Sequence, residues 1–173
     1  MGELADYLKA EAETIRNQSK RREAALHDWL GAIQRLNEEL LSWIKAADDG
    51  MGLVEVRTLD THCREPALGG YSIPGLSISI GDRLSRRSAN IIPHARYVAA
   101  TIKPPGENER RADGMVEIKS DTIADYYLFR LKYERGDEWF IQSVGVWNHQ
   151  KTYGAVELLT QDRFEEAMLF ILK

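Results

Sequence analysis

The sequence has one cysteine and no long apolar run, and these two scarcities exclude several classes of protein. Cys63 cannot form an internal disulfide, which disfavours a small secreted scaffold held by disulfides. No stretch approaches the roughly 18 consecutive apolar residues of a membrane-spanning helix. The acidic first residues are not followed by the apolar run of a secretory signal. These features predict a cytoplasmic protein that does not enter a membrane.

An excess of positive charge is also missing. The 173 residues include 23 basic and 27 acidic side chains, so the net charge is −4 and no global positive field draws the chain to nucleic acid. Hydrophobic residues make up 43% of the chain, which excludes a wholly disordered protein. The length suits one domain with a core, or one domain with an appendage.

The common catalytic motifs are absent as well. The chain has no glycine-rich phosphate loop, no nucleophile elbow and no paired metal-binding cysteines. The candidate zinc ligands or thiol–imidazole partners are scattered over three loop regions: His62, Cys63, His94 and His149. Such a distribution predicts no metal site, no cofactor and no enzymatic activity.

What the chain does have is a long helical signal at its start. From Glu3 to Ala47 there is no proline, Gly31 is the only interior glycine, and strong helix formers dominate. Apolar residues recur every seven residues and form a stripe along one side of the predicted helix. The large apolar residues on or beside this stripe are Leu4, Leu8, Ile15, Leu26, Trp29, Ile33, Leu36 and Trp43.

The length of this helix raises the question of what covers the stripe. A continuous helix would be roughly 67 Å long, whereas the remaining residues form a body roughly 36 Å across. Residues 17–22 are polar and interrupt the stripe. The helix therefore either bends near 17–22 or overhangs the body and packs on another chain.

Two interpretations of the stripe remain open. Residues 26–44 have the stronger apolar face and suit a helix that covers the protein's own sheet. Residues 4–15 have fewer local partners and suit a coiled-coil contact with a second copy or another protein. The functional prediction is a non-enzymatic interaction or structural domain that self-associates or binds another protein through this helix, with all eight large apolar residues as the partner-binding set.

From residue 52 onward the periodicity changes to that of β-strands. Strands are predicted over residues 53–59, 76–80, 95–102, 115–119, 126–133 and 139–146. Residues 147–155 are read as irregular, and Thr160 as the N-cap of a short C-terminal helix. Strands that follow one another without intervening helices indicate an antiparallel meander. The predicted class is α+β, with a helical arm over 1–48 and a sheet domain with a C-terminal helix over 52–173.

An alternative function is suggested by one short motif. The segment Val116-Glu117-Ile118-Lys119 resembles the acid-x-lysine element of the PD-(D/E)xK nucleases. That resemblance implies a strand on which Glu117 and Lys119 hold Mg²⁺ and activate water, with Asp113 or Asp82 as the upstream acid. It covers about four residues, and residues 126–146 read as a β-hairpin where that family has a helix.

Nucleic-acid binding without catalysis is a related alternative. Arg83, Arg86 and Arg87 form one cluster, and Arg110 and Arg111 a second. With Tyr97 or Tyr126 on the same face they would form a platform for a single strand. The net charge disfavours this. A ligand pocket in the sheet is a further open question, with six aromatic candidates to line it: Tyr71, Tyr126, Tyr127, Trp139, Trp147 and Tyr153.

Overall fold

A computed structural model describes residues 2–120 and 124–173 of the chain. Met1, at the start of the predicted arm, lies outside them. The elements in chain order are α1 (Glu3–Asp48), β1 (Glu55–Glu65), β2 (Gly69–Ile80), β3 (Arg87–Ala95), β4 (Thr101–Ile102), β5 (Arg110–Arg111), β6 (Gly114–Lys119), β7 (Ala124–Tyr133), β8 (Gly136–Trp147), β9 (Gln150–Leu158) and α2 (Gln161–Leu172). The α+β class, with a long N-terminal helix, an antiparallel sheet and a short C-terminal helix, is confirmed.

Helix α1 is unbroken through the polar segment 17–22, so the helix does not fold back there. Its 46 residues correspond to about 69 Å at the rise of an α-helix. Asp49 ends it in the left-handed conformation and donates its backbone N–H to the Lys45 carbonyl. Gly50 and Gly52, both at positive φ, then turn the chain toward β1.

The main sheet has seven strands in the order β1-β2-β3-β6-β7-β8-β9, and every neighbouring pair is antiparallel. Between β3 and β6 the chain leaves the sheet, and there β4 and β5 form a separate two-stranded ribbon. The sheet is therefore a meander with one excursion over residues 96–113.

The strand predicted over residues 95–102 is wrong. The strand at this place is β3, which ends at Ala95, and of residues 96–102 only Thr101–Ile102 is in a strand. The prediction began the strand after Pro93, because proline has no N–H to donate to a neighbouring strand. The structure accommodates Pro93 inside β3 next to an irregularity in the pairing with β6, between Pro93 and Ala95.

The irregular segment predicted over residues 147–155 is also wrong, because β9 spans most of it. Asn148 and His149 both have positive φ and form a tight two-residue turn between β8 and β9. Most of β9 is exposed, so its sequence has no alternation of apolar and polar residues. An edge strand that is exposed to solvent on both faces lacks the alternation of apolar and polar residues by which strands are recognised in a sequence.

The sheet carries a core on each face. The larger core joins the sheet to the C-terminal half of α1 and to α2. Its members below 2% exposure include Trp29, Ile33, Leu36, Leu40, Ile73, Ile78, Ile91, Ile118, Leu128 and Phe164. The smaller core lies under the excursion on the opposite face and contains Val98, Ile102, Ala112, Tyr127, Phe129, Leu131 and Phe140.

Helix α2 closes the larger core. The Thr160 hydroxyl accepts a hydrogen bond from the Arg163 backbone N–H at 3.3 Å, which confirms the predicted N-cap. Phe164, Ala167 and Met168 are buried at helical spacing, as the sequence indicates.

Candidate interaction surface

The N-terminal half of α1 is an exposed helix that packs on no other part of the described chain. Residues 3–24, here called the arm, are exposed except for the partly covered Ala5. Its large apolar side chains have exposures unusual for such residues: Leu4 69%, Tyr7 62%, Leu8 56% and Ile15 58%. The strong helix formers of the arm, and its continuity with the packed half of α1, favour a helix here. The large apolar side chains, however, gain no free energy of burial while they stay exposed to water.

The apolar stripe of the arm points to the same side of α1 as the sheet does. Leu4 and Leu40 are 36 residues apart, which is ten helical turns, and Ile15 and Ile33 are 18 residues apart, which is five. Leu40 and Ile33 are fully buried against the sheet. The stripe is thus one continuous surface that the sheet covers along its second half only.

The eight predicted partner-binding residues therefore divide into two sets. Leu4, Leu8 and Ile15 are exposed and available for a partner. Trp29, Ile33 and Leu36 are buried in the larger core, Trp43 packs against it beside Phe164 of α2, and Leu26 is half-buried. For Trp29, Ile33 and Leu36 the partner-binding prediction is corrected, because the core of the same chain occupies the face they present, which is the other interpretation that the sequence left open. For Leu26 and Trp43 partner binding stays a prediction.

The boundary between arm and body is fixed by a buried charge cluster, which sequence reasoning missed. Arg130 on β7 is 0% exposed and donates from both terminal nitrogens to the Asp28 carboxylate, each at 3.0 Å. It also donates to Asp137 at 2.8 Å, while Lys132 lies 3.1 Å and Arg96 3.6 Å from Asp28. Removing Asp28 or Asp137 would leave part of the buried Arg130 charge uncompensated, which destabilises a fold. The cluster thus holds α1 to the sheet at Asp28.

The charge cluster shifts the ionisation of its own carboxylate. Burial opposes the charged form of Asp28, but hydrogen bonds from Arg130 and Lys132 outweigh it and lower the pKa from 3.8 to about 2. Asp28 is therefore ionised at all pH values near neutrality. No spacing rule in the sequence pairs residues 28 and 130, so only the composition of β7, with an arginine between Phe129 and Leu131, could have drawn attention to it.

A hydrogen-bonded chain continues from the same point of α1. The indole of Trp29 donates to the Tyr71 hydroxyl at 3.1 Å, and this hydroxyl donates to the buried Glu65 carboxylate. Glu65 also accepts the backbone N–H groups of Arg96 and Tyr97. Burial and the bond to Glu65 raise the pKa of Tyr71 far above its usual value. These hydrogen bonds connect the beginning of the excursion to the place where α1 meets the sheet.

Charge is segregated along the arm. Residues 3–13 contain four acidic side chains and one basic one, and residues 16–22 contain four basic side chains and no acidic one. Acidic residues in the first turn suit the helix dipole, but the dipole does not explain Glu11, Glu13 or the basic segment. If two copies of the arm packed together in opposite directions, the acidic segment of one would lie beside the basic segment of the other.

The nuclease-like motif forms an ion pair rather than an open site. Glu117 and Lys119 lie on one face of β6 with Lys119 Nζ 2.7 Å from the Glu117 carboxylate, and His94 lies 3.6 Å away. Asp113 accepts the Lys132 backbone N–H, and Asp82 accepts backbone N–H groups within its own turn. Within the described ranges no three His, Cys, Asp or Glu side chains are grouped to hold a metal ion.

The arginine clusters are engaged within the chain. Arg86 binds Glu55 and Ser79, and Arg87 donates to the Lys173 carbonyl at 2.8 Å. Arg110 donates to the Lys132 carbonyl and Arg111 to the Val98 carbonyl. Each arginine uses one or two of the five N–H donors of its guanidinium in these contacts, so its remaining donors are available to a further anion.

Cys63 does not have the environment of a nucleophile. Its thiol is half-buried, and it donates weakly to the Pro93 carbonyl at 3.5 Å. Burial raises the pKa of the Cys63 thiol, which reduces the reactive thiolate. Among the helices that the structure describes, none is both long and apolar enough to cross a membrane.

Comparison with known proteins adds no relative: no family model matches the chain, and no curated protein or solved structure is significantly similar to it.

Proposed function

We propose that this protein is an interaction protein that associates with a second copy of itself through residues 3–24 of α1. The observation that supports this is the exposed continuation of the core stripe, with Leu4, Leu8 and Ile15 more than half exposed on an intact helix. Apolar patches of this kind mark contact surfaces when they are contiguous. The segregated charge of residues 3–13 and 16–22 favours a copy of the same segment as the partner.

The two arms run antiparallel in this proposal. The sheet lies on the stripe side of α1 from Trp29 onward, so a partner helix running parallel would carry its own sheet into the same space. An antiparallel partner places its body beyond Gly2 instead, and the two arms overlap over about 33 Å. The acidic segment of each arm then lies along the basic segment of the other.

The side chains fit this orientation in one register. Aligning Ile15 with Ala12 of the partner arm also aligns Leu8 with Ser19, so that these two large side chains each face a small one, while Leu4 lies beside Glu23 at the end of the overlap. Each large side chain contributes about 1–2 kcal/mol when it is removed from water. The summed contribution of these side chains is of the same order as the free-energy cost of association, roughly 4–15 kcal/mol, which comes from lost translational and rotational freedom. We therefore expect a weak dimer, which should be examined at tens to hundreds of micromolar (about 10–300 μM).

The test is the mass in solution as a function of concentration, measured by sedimentation equilibrium. The full chain should pass from monomer to dimer, and Leu8→Glu or Ile15→Glu should remain monomeric with unchanged unfolding curves, because both positions are exposed in the monomer. Ala10→Glu, on the opposite side of the arm, is the matched control and should dimerise like the parent. A chain that stays monomeric throughout the range overturns the proposal.

The orientation is tested by disulfide trapping. In a Cys63→Ala background, a chain with Ala5→Cys should cross-link to a chain with Arg22→Cys, because these positions face each other in the antiparallel register. A parallel in-register pair would instead cross-link each variant to itself. That outcome would retain self-association and reject the antiparallel arrangement.

A further inference from the structure

A second apolar surface lies at the opposite end of α1. The last turns of α1, the start of β1, the end of β2 and α2 surround an open groove of about 550 Å³. A neighbouring recess of about 360 Å³ shares Ile44, Ala47, Val54 and Ile80 with it, so the two form one continuous groove. The volume is within the roughly 300–1,000 Å³ typical of small-ligand sites.

The groove lies at the edge of the larger core, of which Ile44 and Met168 are members. Helix α1 lines the main groove with Ile44 and Ala47. Around it Met51, Leu53 and Leu169 are 63%, 65% and 63% exposed. Water therefore contacts these three apolar side chains and the apolar lining of the groove. A bound hydrocarbon would remove this surface from water, which is favourable.

Charge is confined to a few side chains of the lining. The charged residues of the main groove are Arg87, Glu165 and Lys173. Arg87 is positioned by its bond to the Lys173 carbonyl, which uses one of the five N–H donors of the guanidinium. Glu165 accepts a hydrogen bond from the Gln161 amide. An arginine held beside an apolar groove is suited to a carboxylate, which it binds with two parallel hydrogen bonds.

We propose that this groove binds a free long-chain carboxylate, with the alkyl chain between α1 and α2 and the carboxylate on Arg87. Lys173 is the second basic residue that lines the main groove, and Glu165 is its one acidic residue. The site is independent of the arm, because none of its lining residues belongs to residues 3–24.

The test is calorimetric titration of the full chain with laurate, myristate and palmitate, each below its micelle concentration. We expect one molecule per chain and an affinity that rises by up to about tenfold for every two added methylenes. The neutral alcohol of the same chain length should bind more weakly than the carboxylate. Arg87→Gln should remove this difference while leaving the affinity for the alcohol unchanged.

The position of the site is tested by a matched pair of variants. Ala47→Trp places an indole in the groove and should weaken binding of myristate at least tenfold, whereas Ala46→Trp, on an exposed neighbouring position that does not line the groove, should not. Circular dichroism and the mass of each variant check that it is folded as the parent is.

Three results would overturn the inference. The first is the absence of saturable binding for all three carboxylates. The second is equal binding by Ala47→Trp and Ala46→Trp. The third is a change of mass in Ala47→Trp without added ligand, which would make the groove a contact between copies. The first two results do not bear on self-association, which the arm variants test separately.

Discussion

At the scale of single residues, Arg130 decides how α1 meets the sheet. It is fully buried between two carboxylates, Asp28 from the helix and Asp137 from the start of β8. Its Nε has no hydrogen-bond partner among the described residues, as is also true of Arg96 Nε. Hydrogen bonds from its terminal nitrogens and attraction to the two carboxylates thus hold Arg130 in its buried position.

The ionisation of Asp28 makes a prediction about acid stability. Its pKa is about 2 in the folded chain and 3.8 without its partners, so its contribution to stability is complete above about pH 4 and is lost as the pH falls toward 2. Asp28→Asn should therefore show a shallower fall in the free energy of unfolding across this window than the parent. Urea unfolding at several pH values measures it.

The control for this prediction is Asp60→Asn, since the Asp60 side chain is 79% exposed. It should follow the parent across the whole pH range. Parallel curves for the parent and Asp28→Asn would show that the ion pair with Arg130 does not govern acid stability.

At the scale of elements, the contact between α1 and β6 depends on a glycine. Gly114 pairs with Arg130 across β6 and β7, and the indole of Trp29 lies directly over it. A Cβ at position 114 would lie 2.5 Å from Cζ3 and 2.9 Å from Cη2 of Trp29. The tryptophan ring thus occupies the space that a side chain at 114 would need.

Gly114→Ala should destabilise the fold by about 1–3 kcal/mol, because the helix or the strand must shift to relieve the overlap. Chemical denaturation at neutral pH measures the change. Gly70→Ala on β2 is the matched control, since a Cβ there meets no atom within 4 Å. An equal effect of the two substitutions would mean that the approach of Trp29 to β6 is not a tight contact.

The elements also show where sequence patterns succeed. The helix formers of α1, the Thr160 cap of α2 and the hairpin of β7 and β8 are local signals, and the structure contains all three. β3 contains a proline within the strand and β9 is exposed on both faces, so neither has the pattern by which a strand is recognised. The strand predictions were wrong where packing, rather than local sequence, forms the strand.

At the scale of the whole molecule, the helix is longer than the body that supports it. Residues from Trp29 to Ile44 lie along the larger core, and the arm extends beyond the charge cluster at Asp28. A part that makes no tertiary contact adds little to the stability of the rest. The molecule therefore combines a body that contains both cores with a helical extension that is exposed along its length.

Deletion of residues 2–22 should change the free energy of unfolding by less than about 0.5 kcal/mol, because these residues contribute no buried core. The comparison is made by urea unfolding at about 1 μM, where the weak dimer is dissociated. The same deletion should abolish the concentration-dependent rise in mass. A large loss of stability in dilute solution would place the arm within the cooperative fold of the monomer.

The sequence by itself determined that the chain begins with a long amphipathic helix, that the body is an antiparallel sheet and that a short capped helix follows. These features are set by propensities and periodicities that act over a few residues. Only the tertiary structure decided which half of the stripe is covered, because coverage depends on where the sheet lies beside the helix. That position is set by contacts such as Asp28 with Arg130, which are 102 residues apart and leave no periodic trace in the sequence.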